Sequence, residues 1–309
     1  MAVDSRLHPD LALLLEFYMQ QRAKPPAAFA HAPRLVPSPS FFSVKALQDH
    51  LNNPLLTPNW IAVVAGGQFV SLESAGLQKV VQNKQLFFMN KDVIEESLKR
   101  GAALVLEGLD ILDPSINAFA AKLDWALPCA LSHCVAFFSQ RGNEAYKGHS
   151  DLDDVLVIQL EGEKRWHLFE PHQRKLRNKG GLAQHQMGKP LTDVLMRPGD
   201  AMYLRAGTPH ICETTGACSL HISFDLRDQT PSVAEITEEA NTRFANAAAE
   251  QYAPPSTVID MYVSLLKSEQ FQRDVAMATT KVRNDAIQYR QLIGRTTGVS
   301  ALTKFIRGS

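Results

Sequence analysis

Residues 131–224 constrain the fold of this 309-residue chain more than any other stretch. Short apolar runs follow one another there, separated by turn signals, and no helical pattern alternates with them. Strands in this arrangement pair antiparallel and form a sandwich or a barrel. The turn Glu161-Gly162-Glu163 lies between two of the runs and predicts a hairpin. The predicted strands cover residues 135–139, 155–160, 164–169, 201–204 and 219–224.

Helical periodicity flanks this region on both sides. Asn90 and Gly101 supply the start and stop signals of one such helix. Residues 25–39 are rich in Pro and Ala and are expected to be irregular or extended. The chain is therefore expected to be mainly β, with N-terminal α/β elements and a helical C-terminal region. The predicted helices cover residues 9–21, 90–100, 115–125, 233–251, 258–266 and 271–292, and two further strands cover residues 60–64 and 102–106.

The charge balance argues against partners that need a strong field. Lys plus Arg and Asp plus Glu number 32 each, so no global field attracts nucleic acid or an acidic membrane. The basic loop at residues 174–179 is interpreted as solvated, with an acidic or nucleic-acid-bound partner as the alternative. No apolar run approaches the ~18 residues of a membrane span, and no leader pattern is present. The four cysteines lack C-x-x-C spacing and indicate free thiols. We expect a cytoplasmic protein without direct membrane or nucleic-acid contacts.

His149, Asp151 and the distant His210 are the strongest candidates for metal ligands. Side chains two residues apart on a strand point to the same face, so His149 and Asp151 can bind one ion together. His210 follows a turn at residues 206–209, at the end of another predicted strand. Two histidines and one carboxylate hold a non-haem Fe(II) and leave positions open for oxygen and a cosubstrate. The alternative is a surface turn that contains a histidine, and the strand context of both motifs favours the metal.

Lys164 is the next residue with possible chemistry. It lies on a predicted strand beside Arg165, and the two-residue period places one of the pair on each face. If Lys164 faces inward it needs an anion, which a dicarboxylate cosubstrate would supply. The alternative is a solvated lysine on the outer face. Five other histidines are interpreted as ordinary core or surface residues, namely His133, His167, His172, His185 and His221.

Two stretches resemble the JmjC ribosomal oxygenases, the cupin-like branch of the Fe(II)- and 2-oxoglutarate-dependent protein hydroxylases. The first is GHSDLDDVLVIQLEGEKRWHLF at residues 148–169, and the second is RPGDAMYLRAGTPH at residues 197–210, followed by SLHISF at residues 219–224. The resemblance covers about residues 41–224. It implies a double-stranded β-helix, the cupin or JmjC barrel, at residues 41–226. An N-terminal helix and connector at residues 1–40 would precede it, and a helical dimerisation region at residues 227–309 would follow.

The resemblance also implies roles for individual residues. The three candidate ligands match the iron ligands, and Lys164 matches the residue that binds the 5-carboxylate of 2-oxoglutarate. Ser223 matches a hydroxyl residue that helps to hold this carboxylate, and Ser139 falls where relatives carry a Ser or Thr near the cosubstrate. Arg205 replaces the proline usual in the cupin turn and becomes a candidate substrate contact. Val135 replaces an Asn that relatives often carry, which removes one polar contact on the cosubstrate side.

The expected function is hydroxylation of an amino-acid side chain in a protein or peptide by a homodimer, using Fe(II), 2-oxoglutarate and O2 and releasing succinate and CO2. The tail after residue 224 is short, so the winged-helix module of full-length relatives is expected to be absent or reduced. A nearer alternative keeps this chemistry on a free amino acid, a small metabolite or a ribosomally made peptide, and N-demethylation is chemically adjacent. More remote alternatives are a cupin binding protein without catalysis and a metal-dependent isomerase or dioxygenase without a cosubstrate.

Overall fold

The computed structural model describes residues 7–23, 27–66, 68–70, 76–126, 129–140, 147–171, 182–228, 233–248 and 253–275. Within these ranges no helix is both long enough and apolar enough to cross a membrane. The helices are α1 Pro9–Arg22, α2 Val44–Asn52, α3 Lys91–Lys99, α4 Leu109–Leu112, α5 Pro114–Ala126, α6 Val233–Ala248 and α7 Pro255–Lys267. The strands are β1 Phe29–Ala32, β2 Ile61–Ala65, β3 Gln68–Phe69, β4 Gly76–Val81, β5 Lys84–Met89, β6 Ala103–Leu106, β7 Cys129–Gln140, β8 Asp154–Phe169, β9 Pro190–Met196, β10 Ala201–Leu204 and β11 His210–Asp228.

The main sheet is antiparallel and is built around two long strands, β8 and β11. In the described residues its order is β1-β10-β8-β11-β7-β6-β2-β3, and β9 pairs with the other part of β8. Residues 164–168 of β8 pair with residues 210–214 of β11, while residues 154–162 pair with residues 219–226. Both strands therefore run through two parts of the sheet and close it around an interior. The fold is the expected double-stranded β-helix with added helices.

The hairpin predicted at Glu161-Gly162-Glu163 is wrong. The chain continues as one strand through these residues, and β11 is the neighbour of β8 on both sides of them. Gly162 has a φ of 66°, and the register of β11 shifts between Thr214 and Ser219 opposite it. A glycine in this conformation bends a strand as readily as it reverses one. The glycine therefore correctly indicated a change of chain direction, but the change is a bend within one strand and not a reversal.

Alternation along the strands separates an outer face from the barrel interior. Leu156 and Ile158 of β8 and Phe224 of β11 pack outward against the buried side of the helices, in the largest hydrophobic cluster. Val157 and Trp166 belong to a separate cluster inside the barrel. Large apolar side chains fill much of the interior, and the polar side chains found there are described with the site below.

The N-terminal segment is part of the sheet rather than a plain connector. Tyr18 of α1 is fully buried, with its ring 6.0 Å from that of Tyr203 on β10. The segment that follows, expected to be irregular or extended, contains β1, which pairs along its whole length with β10. The structure also has α2 and the β4–β5 hairpin, which the sequence patterns did not indicate.

Most of the predicted helices are confirmed, with shifts of a few residues at their ends. Asn90 occupies the N-cap of α3 as expected, but its side chain makes no capping hydrogen bond. The last predicted helix, residues 271–292, is described only as far as residue 275. The basic loop at residues 174–179 lies outside the described residues, as does His172.

Candidate metal centre

His149, Asp151 and His210 converge at one end of the barrel interior. One ligand atom from each lies within 4.8 Å of the others. Nε2 of His149 is 3.8 Å from Oδ1 of Asp151, and Nε2 of His210 is 3.8 Å from Oδ2. Metal bonds to nitrogen and oxygen donors are about 2.0–2.2 Å long, so the ligand atoms of one ion stand roughly 3–4 Å apart. The spacing and the donor set therefore fit a single ion.

Backbone pairing brings the two histidines together. The amide of each donates to the carbonyl of the other, with N···O distances of 3.1 Å from His149 and 2.8 Å from His210. Nδ1 of His149 lies 2.9 Å from the carbonyl oxygen of Lys147, and Nδ1 of His210 lies 3.1 Å from that of Thr208. A proton on each Nδ1 satisfies these contacts. Both Nε2 lone pairs are then free to bind a metal.

The expected strand geometry of His149 and Asp151 is wrong, although the two side chains do meet. His149 forms only an isolated bridge, and β8 begins three residues after Asp151. A backbone contact fixes Asp151 instead, because the amide of Gly207 donates to its carbonyl oxygen at 2.8 Å. The turn that precedes His210 therefore also holds the loop that carries the carboxylate.

Burial sets the electrostatics of the centre. The His210 side chain is 5% exposed, against 30% for His149 and 35% for Asp151. Burial, together with the nearby His149, lowers the pKa of His210 to about 4. His210 is therefore neutral at pH 7, as metal coordination requires. The exposed fractions of His149 and Asp151 leave one side of the centre open.

Lys164 faces the interior, which decides between the two alternatives left by the sequence. It is 1% exposed, whereas Arg165 points outward and lies 3.5 Å from Glu213. Nζ of Lys164 donates to Oγ of Ser139 at 2.8 Å, and this hydroxyl is 2.7 Å from Oγ1 of Thr214. Burial lowers the pKa of Lys164. No carboxylate of the described residues forms an ion pair with it, so the pocket offers a cation and two hydroxyls to an anion.

The two sites lie at opposite ends of one row of interior side chains. On β8, Lys164, Trp166 and Leu168 alternate inward, and on β11 they pair with Thr214, Cys212 and His210. The Trp166 ring is 5.3 Å from that of His210. The lysine pocket is thus four residues from the metal ligands along the strand, roughly 13 Å between backbones. The Lys164 side chain extends into this space, so the distance left between its ammonium group and the metal ligands is about the length of a small dicarboxylate.

Residues 114–236 match the family model described as the JmjC domain. The part of the chain that carries the candidate metal ligands and Lys164 is therefore similar to a JmjC domain. The chain is 26% identical to the bifunctional lysine-specific demethylase and histidyl-hydroxylase NO66 of Drosophila persimilis over 230 residues, which are 66% of this chain and 33% of that protein. It is 34% identical to ribosomal oxygenase 2 of Rattus norvegicus over 89 residues, or 28% of this chain and 19% of that protein.

The solved structure of Escherichia coli ycfD supports the same fold. It aligns with a TM-score of 0.50 at 16% identity, over 79% of this chain and 66% of that one. The chain spans a third or less of the length of the curated relatives above. These likenesses show a shared domain and fold, and the activity of this chain is argued below from its own residues.

The two serines expected near the cosubstrate are placed differently in the barrel. Ser139 is 1% exposed and touches Lys164. Ser223 is also buried, but it pairs with Val135 while Ser139 pairs with Ser219, four residues earlier on β11. That separation is roughly 13 Å, and no hydrogen bond joins Ser223 to Lys164 among the described residues. The structure brings Ser139 to the lysine and places Ser223 nearer the level of the metal ligands.

Sequence reasoning missed three residues of the barrel interior. Thr214 completes the hydroxyl pair beside Lys164. Trp166 lies between the lysine and the metal ligands, and its indole nitrogen is buried without a hydrogen-bond partner. His221, interpreted as ordinary, is 4% exposed, and its Nδ1 is also buried without a partner. Alternation from Lys164 and from Ser223 could have assigned Trp166 and His221 to the interior, but only the fold brings them together.

The remaining candidates lie at the edges of the domain. Arg205 is exposed in the turn before His210, and its backbone amide donates to the carbonyl of Ala28 at 2.9 Å. His133 lies 3.6 Å from both Asp225 and Glu107. The hydrogen bond to Asp225, followed by that to Glu107, raises the pKa of His133 to about 10. His133 is therefore a charged, structural histidine rather than a ligand.

Proposed function

We propose that this chain is an Fe(II)- and 2-oxoglutarate-dependent oxygenase that hydroxylates an amino-acid side chain in a protein or peptide and releases succinate and CO2. The observation that carries the proposal is a metal centre and a buried lysine inside one barrel, where no carboxylate of the described residues pairs with that lysine. A binding module has no need of both. The names of the relatives, a bifunctional lysine-specific demethylase and histidyl-hydroxylase and a ribosomal oxygenase, are in keeping with oxygenase chemistry on a protein.

The residues at the two ends of the interior would have different roles. His149, Asp151 and His210 would hold the iron, while Lys164 would pair with the remote carboxylate of 2-oxoglutarate. Bound iron supplies the activation of oxygen, coupled to oxidative decarboxylation of the cosubstrate. Trp166, packed between the two ends, excludes water from the space that the cosubstrate would fill. The open side of the centre is where a substrate side chain would enter.

The test is succinate release with Fe(II), 2-oxoglutarate and oxygen, without an added substrate. We expect a slow uncoupled rate that requires all three and is abolished in Asp151→Ala. The control is Asp193→Ala, because Asp193 lies on the exterior and pairs with His167 at 2.8 Å. Equal rates in Asp151→Ala and the unaltered protein would refute the proposal. Mass spectrometry of treated proteins, peptides and metabolites, searching for an added oxygen, then distinguishes the substrate classes, and released formaldehyde would reveal demethylation.

We also propose that the protein is a cytoplasmic homodimer that pairs through its helical C-terminal region. Three apolar residues of α7, Val258, Ile259 and Val263, are exposed by 36%, 61% and 38%. A partner subunit would cover them. Light scattering should give twice the chain mass, and Ile259→Glu should return it to the monomer. A monomer at all concentrations would contradict the pairing.

A further inference from the structure

His221 is a buried polar side chain for which the fold provides no hydrogen bond. It lies on the interior face of β11 and is 4% exposed. Nδ1 is enclosed without a partner, which leaves Nε2 as the nitrogen that a ligand could reach. Nε2 has no hydrogen bond to any described residue, and buried polar groups are nearly always paired, so this nitrogen calls for a ligand.

The ring is held between two aromatic side chains, at the level between the lysine pocket and the metal ligands. It stacks on Phe137 at 4.9 Å with an interplanar angle of 12°, and it meets Trp166 edge-on at 5.7 Å. Phe137 is two residues from Ser139 on β7, and Trp166 is two residues from Lys164 on β8. His221 therefore contacts the interior side chains that come next to Ser139 and Lys164 on their strands.

The charge environment keeps this ring neutral. Burial, then the charge of Lys164 and then His210 hold the pKa of His221 well below its usual value. A neutral imidazole has one N–H. A proton on the enclosed Nδ1 would be an unsatisfied donor, which is rarer and more costly than an unsatisfied acceptor. The N–H therefore belongs on Nε2.

We propose that Nε2 of His221 donates a hydrogen bond to the remote carboxylate of 2-oxoglutarate, beside Lys164. This rests on the proposed function. A carboxylate has about four acceptor positions, more than one ammonium and two hydroxyls occupy. On β11, His221 is two residues from Ser219, which pairs with Ser139, and Oγ of Ser139 accepts from Nζ of Lys164. His221 thus binds the end of the cosubstrate that does not chelate the metal.

The experiment compares two ligands on the Mn(II)-loaded protein by calorimetry. 2-Oxoglutarate reaches both ends of the cavity, whereas oxalate chelates the metal and is too short to reach Lys164. His221→Phe keeps the aromatic stack and removes the N–H, and it should weaken 2-oxoglutarate binding by about tenfold or more while changing oxalate binding by less than about twofold. His221→Gln, which restores an N–H donor, should recover part of the loss. The control His167→Gln alters a histidine on the outer face.

Two outcomes overturn the proposal while leaving the function intact. In one, His221→Phe binds 2-oxoglutarate as well as the unaltered protein does; in the other, it loses 2-oxoglutarate and oxalate equally. If the unaltered protein binds no 2-oxoglutarate at all, the proposed function fails as well. A second measurement needs no variant: in the Zn(II)-loaded protein, the N–H proton of His221 should shift downfield in NMR spectra with 2-oxoglutarate and not with oxalate. The same shift with both ligands, or with neither, also overturns it.

Discussion

A buried lysine without a carboxylate partner costs a protein stability, because the charge loses its hydration. Lys164 is such a residue, with Ser139 as its hydrogen-bond partner among the described residues. Its retention makes sense if the missing charge arrives with the cosubstrate. The same reasoning applies to Nε2 of His221, which has no hydrogen-bond partner among the described residues, and to the orphaned indole nitrogen of Trp166. At the residue scale, this interior is prepared for a ligand rather than for its own stability.

Replacing Lys164 with Met should separate binding from stability. We expect the apparent KM for 2-oxoglutarate to rise by roughly 10-fold to 100-fold, because a hydrogen bond to a charged group is lost. Metal affinity should stay within about threefold, and the melting temperature without ligand should be unchanged or higher. Arg165→Met is the matched control on the outer face of the same strand. An unchanged KM in Lys164→Met would contradict the assignment.

At the element scale, the bend in β8 determines which side chains of this strand face the interior. It turns one strand into both walls of the interior, so that Lys164 and Val157 both face inward. Gly162 permits the bend, since its φ of 66° is unfavourable for other residues, and a Cβ there would strike the backbone carbonyl of Cys218. Neither effect can be relieved by turning a side chain.

Gly162→Ala should therefore destabilise the fold more than a glycine-to-alanine substitution that causes backbone strain without a steric clash. We expect a loss of roughly 3 kcal/mol or more in the free energy of unfolding, from left-handed strain plus the clash. Gly66→Ala is the control, because Gly66 has a φ of 56° and a methyl group there would meet no atom within 4 Å. Its loss should be about 1–2 kcal/mol. Equal losses in urea titrations would show that the bend tolerates a side chain.

His133 joins β7 to Asp225 of β11 and to Glu107 beyond β6. Its pKa of about 10 lies above the 6.5 of an unpaired histidine, so its contribution is full below pH 6.5 and disappears as the pH rises through about 10. The difference in unfolding free energy between the unaltered protein and His133→Gln should shrink over that interval. Because the side chain is 42% exposed, the difference should be modest. A difference that does not vary with pH would show that packing, not charge, is lost.

The sequence predicts the ligand triad because its spacing and turn context are local features, and it predicts the barrel because strands and turns follow one another without helices. It does not predict that Gly162 bends one strand, because a bend and a hairpin turn have the same residue signature. The sequence also cannot tell whether Lys164 or Arg165 faces the interior, since alternation shows that the two point to opposite faces but not which face is the inner one. The pairing of Ser139 with Thr214 depends on contacts between strands 75 residues apart, which no local pattern encodes.

For the whole molecule, the described contacts around the metal centre couple ligand binding to folding. A ligand that binds only the native state stabilises it by mass action, by about 2.7 kcal/mol at one hundred times its Kd. Mn(II) should therefore raise the melting temperature by several degrees, and 2-oxoglutarate should raise it further only when the metal is present. Asp151→Ala should remove both increments. A stabilisation by 2-oxoglutarate that does not need the metal would place its binding elsewhere.

The most direct test of the central claim follows the oxygen atoms. With Fe(II), 2-oxoglutarate and O2 labelled with a heavy oxygen isotope, mass spectrometry of the products should find one labelled atom in succinate. A second labelled atom should appear in the hydroxylated side chain once a substrate is present. Label should be absent from the products of the Asp151→Ala protein. Succinate without the label, or no oxygen-dependent succinate from the unaltered protein, would contradict the account.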